Sequence, residues 1–144
     1  MTTFTTSREI EASIDQVFAA ISEPSRLAQW WGPAGFTNTF HLCNFRPGGR
    51  WSFIMHGQDG HDYPNESVFD EIEIPVKVVI RHVSEPKFRL TITLSAADHG
   101  TLVSWAQAFD DARVAQRVES IVVPANEQNL DRLTAEVLGM ETNH

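Results

Sequence analysis

The amino-acid sequence predicts an α+β domain: one seven-stranded antiparallel sheet, two short helices after its first strand, and a long C-terminal helix that covers the sheet. Three observations carry that reading. Residues 36 to about 109 alternate apolar and polar side chains with period two. Five turn signals interrupt the alternation, at Arg46-Pro47-Gly48-Gly49, Gly57-Gln58-Asp59-Gly60, Ile74-Pro75, Ser84-Glu85-Pro86 and Ala97-Asp98-His99-Gly100, so it divides into six strands. Downstream, Leu130, Leu133, Val137 and Leu138 fall at helical spacing and Gly139 ends the pattern.

The opening segment Phe4–Glu11 alternates loosely and is rich in Thr, as an edge strand with one buried face requires. Ser13 follows as a helix N-cap with Gln16 completing a capping box, and Ile14, Val17, Phe18 and Ile21 share one stripe. Pro24 stops this helix. Residues Ser25–Trp31 form a second short one, which Gly32-Pro33 breaks. Within the meander, Trp51, Phe53 and Met55 take one face of their strand. Phe88, Leu90, Ile92 and Leu94, and then Val103, Trp105, Gln107 and Phe109, do the same on theirs. Pro124 is placed at the start of the final helix, where its fixed φ and missing N–H cost nothing. The stretch 111–123 is left as helix, loop or lid. One helix about 10 Å across cannot fill the concavity of a twisted seven-stranded sheet, so a pocket is expected beside it.

The chain of 144 residues is read as a single domain over 1–144, long enough to fold around one core without a metal or disulfide staple. Its formal charge of −8, with no basic cluster, argues against nucleic acid as a partner. The sole cysteine, Cys43, has no partner for an internal disulfide, and the N-terminal segment lacks a basic and then apolar leader. No stretch approaches the roughly 20 apolar residues of a membrane span, so a cytoplasmic location is expected.

Four motifs carry a resemblance. They are Trp30-Trp31-Gly32-Pro33 with Gly35-Phe36-Thr37, Phe45-Arg46-Pro47-Gly48-Gly49-Arg50-Trp51, Met55-His56-Gly57 with Asp59-Gly60 and Tyr63, and Pro124-Ala125-Asn126-Glu127-Gln128-Asn129-Leu130-Asp131-Arg132-Leu133. In this order, over residues 8 to 138, they resemble bacterial members of the family homologous to the activator of the ninety-kilodalton heat-shock chaperone ATPase. The resemblance implies the helix-grip (START-like, Bet v-like) fold of the SRPBCC superfamily. That superfamily includes carriers of apolar ligands, cyclases, oxygenase subunits and the co-chaperone domain, so the fold does not dictate the function.

Four indoles, Trp30, Trp31, Trp51 and Trp105, supply rigid apolar walls, and each N–H needs a partner when buried. The candidate ligand-binding set is Trp31, Trp51, Phe53, Met55, Phe69, Trp105, Gln107 and Leu133, set against the plain alternative that the same side chains only pack the core. Gln107 stands on the apolar face by parity and is read either as orienting a ligand oxygen or as satisfying an indole or backbone group.

His56 and His61 flank the Gly57–Gly60 turn, so a hairpin would set them opposite each other near Asp59 and Glu66. That spacing matches no zinc motif, and neither metal nor cofactor is expected. His41, His56, His82, Glu66 and Tyr63 are the available acid–base groups, but no nucleophile signature accompanies them. The first reading is therefore a binding protein for a small apolar or amphipathic molecule. A cyclase or aldol-type enzyme in the same pocket is second, and a module acting on a chaperone is third. A homodimer through the first strand's edge stays open.

Overall fold

The computed structural model describes residues 2–139. In chain order the elements are β1 (Thr2–Ile10), α1 (Ile14–Ser22), α2 (Pro24–Trp30), β2 (Thr37–Cys43), β3 (Arg50–His56), β4 (Asp62–Glu73), β5 (Lys77–His82), β6 (Phe88–Ala97), β7 (Gly100–Phe109) and α3 (Ala112–Leu138). The strands form a single antiparallel sheet of order β1-β7-β6-β5-β4-β3-β2, the helix-grip arrangement expected. Both edges come from the N-terminal third of the chain. The α1–α2 pair spans from β1 at one edge to β2 at the other.

Local chemistry explains the short helices. The Ser13 hydroxyl accepts from the Gln16 N–H at 3.1 Å while the Gln16 side chain accepts from the Ser13 N–H at 2.9 Å, the reciprocal capping box. Val17, Phe18, Ala20 and Ile21 bury the inner face of α1. Pro24 ends α1 and also opens α2 at its first position, where no N–H is needed. Register shifts at Phe40/Leu42 and Phe69/Glu71 bend β2 and β4, which deepens the curvature of the sheet around α3. Trp51, Phe53, Phe69, Leu90, Ile92, Val103 and Trp105 meet Leu130 and Leu133 of α3 in the core.

Several expectations change. Pro124 does not open the last helix but lies inside it: α3 is one 27-residue helix, about 40 Å long, and 111–123 supplies its N-terminal half. Asp111 caps it, accepting from the Arg113 N–H at 2.8 Å. The sequence holds the reason: Val114, Val118 and Val122 recur every fourth residue, a stripe that runs on through Asn126 and Asn129 and outweighs one missing hydrogen bond at an exposed proline. Leu138, assigned to the apolar stripe, is exposed in the last turn of the helix, which Gly139 caps in the left-handed conformation (φ 68°).

The β3–β4 turn is one residue longer than its glycines implied. His56 therefore pairs with Asp62 rather than with His61. The indoles also differ from expectation. Trp30 donates to the Ala20 carbonyl at 2.9 Å, but the N–H groups of Trp51 and Trp105 have no partner among the described residues.

Candidate functional site

Between α3 and the concave face of the sheet lies a cavity of about 190 Å³ that opens to solvent. Its floor comes from alternate, inward-facing strand residues: Phe53 and Met55 of β3, Asn65 of β4, His82 of β5, Phe88 and Leu90 of β6, and Trp105 and Gln107 of β7. Val122, Ala125, Asn126 and Asn129 of α3 form its roof, on either side of Pro124. Trp31, Gly32 and Pro33, from the segment joining α2 to β2, close one side, and Pro86 stands at the rim.

Of the eight residues singled out in the sequence, Trp31, Phe53, Met55, Trp105 and Gln107 border this space. Trp51, Phe69 and Leu133 do not. Trp51 stacks between Phe53 (4.3 Å between centroids) and Phe69 (5.5 Å) and meets the edge of Trp31 at 4.9 Å, forming a solid aromatic layer behind the wall. Leu133 is fully enclosed on α3, one turn beyond Asn129. These three support the lining instead of facing into it. Trp31 and Trp105, tilted at 35° with centroids 6.1 Å apart, are the indoles that reach the cavity.

The polar part of the lining went largely unread in the sequence. Gln107 accepts at Oε1 from Asn126 Nδ2 at 3.1 Å, and both side chains are more than nine-tenths buried. So Gln107 answers neither to an indole nor to the backbone, but to an amide on α3. Asn129, as deeply buried, accepts from the Gly32 N–H at 2.9 Å. On the sheet, His82 Nδ1 meets the Pro86 carbonyl at 2.8 Å and Nε2 meets Asn65 Oδ1 at 2.6 Å. Burial pushes the His82 imidazole below the ordinary histidine range, against weaker opposing effects of the backbone at Pro86 and Ser84; a neutral ring carries one N–H and so donates to only one of these two oxygens. The only signal for these residues was their polar type at inward parity or at i, i+3 on α3.

The segment carrying Trp31 is held by α3 through its backbone. The Arg132 guanidinium donates to five carbonyl oxygens: Trp31, Gly32 and Pro33 through one terminal nitrogen (2.9–3.2 Å), and Gln29 and Phe36 through the other (2.9 Å each). Gln128 accepts from the Ala34 N–H at 3.1 Å. Half-burial pulls the Arg132 pKa below its usual value, although a guanidinium remains charged throughout the accessible pH range. Gly32 adopts φ 100°, a backbone conformation that favours glycine, and a Cβ there would press on the Met55 methyl group at 2.7 Å, so the flexible methionine would have to give way. The co-occurrence of Trp-Trp-Gly-Pro with the Asn/Gln/Arg-rich helix motif is thus one physical unit: the second grips the first and fixes Trp31 over the cavity.

Other candidates lie elsewhere. On the outer face of the sheet, His56 meets Thr39 Oγ1 and Asp62 Oδ1, each at 2.7 Å, while His61 pairs with Asp59 at 2.9 Å. The two histidines therefore serve separate partners, and among the described residues no cluster of three or more metal-ligating side chains forms. Half-burial raises the Cys43 thiol to about 11, leaving it protonated and unreactive at neutral pH. No described helix is long and apolar enough to cross a membrane.

Solved structures reproduce this architecture. A protein of Arthrobacter aurescens superposes with TM-score 0.87 at 22% identity, covering 95% of this chain and 86% of that one. A Nitrosomonas europaea protein gives 0.85 at 16% identity, covering 95% and 94%. The AHSA1-like protein of Aeromonas hydrophila gives 0.76 at 17% identity, covering 99% and 98%. At such identities the likeness establishes the fold alone. No curated protein matches. The family model described as activator of Hsp90 ATPase homolog 1-like protein matches residues 11–137, and the chain belongs to that family.

Proposed function

We propose that this domain binds a small apolar or amphipathic molecule in the cavity between α3 and the concave sheet face. The observation that carries the reading is an open space of about 190 Å³ walled mainly by carbon, set between the long helix and the buried apolar cluster of the sheet. Small-molecule sites characteristically combine apolar walls with a few convergent polar groups, and Gln107, Asn126 and Asn129 are such groups.

Phe53, Met55, Trp31 and Trp105 would contact the ligand, while Trp51, Phe69 and Leu133 would hold those walls in place. Catalysis is less well supported. His82 is the one titratable side chain in the described lining, and the oxygens of Pro86 and Asn65 stand against its two nitrogens at 2.8 and 2.6 Å, leaving neither turned to a guest for proton transfer. A chaperone-directed role rests on the family relationship alone.

The test is organic extraction and native mass spectrometry of protein purified from its own cells, alongside an Ala125→Trp variant designed to fill the roof of the cavity. The reading predicts a bound compound on the wild type and its loss from a folded variant. Empty wild-type protein that also gains no thermal stability from a library of apolar compounds overturns it.

A further inference from the structure

We propose that the cavity selects an uncharged single-ring compound bearing a hydroxyl or carbonyl oxygen, seated against Trp31 and Trp105 and hydrogen-bonded by the Gln107–Asn126 amide pair. The proposal rests on the ligand-holding reading above and adds the chemical class of the guest.

Charge is the first constraint. Among the described residues no Asp, Glu, Lys or Arg borders the cavity, so a carboxylate or ammonium group would be stripped of water with no counter-charge to meet it. His82 supplies none, because burial favours its neutral form and the oxygens of Pro86 and Asn65 already stand against its two nitrogens.

The second constraint is the donor and acceptor inventory. An amide pair joined by one N–H···O bond always leaves one carbonyl oxygen and one NH2 group, whichever way the two amides are turned together. Here the remainders are the Asn126 oxygen and the Gln107 NH2, and neither makes another hydrogen bond among the described residues. Both residues border the cavity, Gln107 from the floor and Asn126 from the roof, so the pair offers a guest a donor and an acceptor together, and a guest that covers them must both accept and donate. A hydroxyl does both; a carbonyl takes the donor.

Size is the third. A dry cavity of about 150 Å³ holds benzene. The somewhat larger space here fits one ring with a substituent, and the indoles of Trp31 and Trp105 offer that ring flat, rigid walls.

The experiment titrates isotope-labelled protein with p-cresol, toluene, benzoate and a naphthol, following the side-chain amide and indole signals by NMR. The expected result is p-cresol binding about ten-fold more tightly than toluene, the difference made by leaving a buried donor unsatisfied. It should shift the Gln107 and Asn126 NH2 signals, with benzoate and the naphthol each weaker than p-cresol. In a Gln107→Leu/Asn126→Leu double variant, where neither partner is orphaned, the preference should vanish while toluene still binds.

Equal affinity for toluene and p-cresol, or a preference that survives in the double variant, overturns the amide-pair assignment while leaving a ligand-holding cavity. Tighter binding of benzoate or the naphthol overturns the ligand class. If no probe binds and extraction is also empty, the underlying reading falls with it. Should the double variant not fold, the wild-type ranking and the amide shifts still decide.

Discussion

The two halves of α3 are attached to the rest of the molecule by different physics. The C-terminal half buries Asn126, Asn129, Leu130 and Leu133, and Arg132 ties it to five backbone carbonyls of the 29–36 segment. Arg8 pairs with Asp131 (2.7 Å) and Glu127 (3.2 Å), and Arg26 with Glu136 (2.9 Å). In the N-terminal half only Ala115 is fully buried, while Ile121 is 68% and Val123 46% exposed. Pro124 stands between them and withholds the N–H that would otherwise bond to the Ser120 carbonyl. A helix gripped at one end and lightly seated at the other opens first at the light end, and that end roofs the cavity through Val122.

The largest expected effect tests burial. Leu130→Ala should destabilise by about 3 kcal/mol in urea unfolding, whereas Ile121→Ala should cost less than about 0.5 kcal/mol. Comparable losses would erase the contrast between the halves. Arg132→Met should cost about 2–3 kcal/mol, because half-buried carbonyls lose their donor, and should speed amide exchange selectively over residues 31–36. Arg117→Met, on the exposed N-terminal half, is the matched control, and equal effects would dissolve the clamp.

Pro124→Ala should stabilise by about 1 kcal/mol by restoring one helical hydrogen bond, and should slow amide exchange from Ser120 to Ala125. Unchanged exchange would remove the proline as the junction.

The smallest effect concerns the sheet side of the cavity. The folded-state pKa of His82 is depressed, so the unfolded chain binds the proton more readily. The stabilisation is complete above the unfolded value, near pH 6.5, and is lost as pH falls from there through the folded value. The slope from this one group is at most about 1.4 kcal/mol per pH unit. His82→Gln should flatten the stability profile in that window, measured by urea unfolding at stepped pH; an unaltered profile would assign the acid sensitivity to other groups.

Much of this was legible locally. The Ser13/Gln16 capping box, the turns, the inward parity of Trp105 and Gln107 and the single sheet all follow from signals a few residues long. What failed were judgements in which one strong local rule met a distributed pattern. Pro124 read as a helix start because a proline is locally decisive, yet the valine stripe before it aligns with the buried face after it. His56 and His61 read as opposed because hairpin register depends on the turn's length, which two glycines did not settle.

Alternation separated inner from outer faces, but not the inner residues that border open space from those that fill it. Trp51 and Trp31 are alike in type and burial, and only their neighbours distinguish them: Trp51 is sandwiched by Phe53 and Phe69, while Trp31 rides on a segment held from across the fold. Likewise nothing near Arg132 in sequence marks it as the ligand of carbonyls about a hundred residues away.

By itself the sequence determined the elements, their order and the apolar face, because periodicity and turn chemistry act over a handful of residues. The tertiary structure alone decided which of those apolar and amide side chains enclose a space, because a void is a property of how distant segments fail to fill a volume, and no local pattern encodes that.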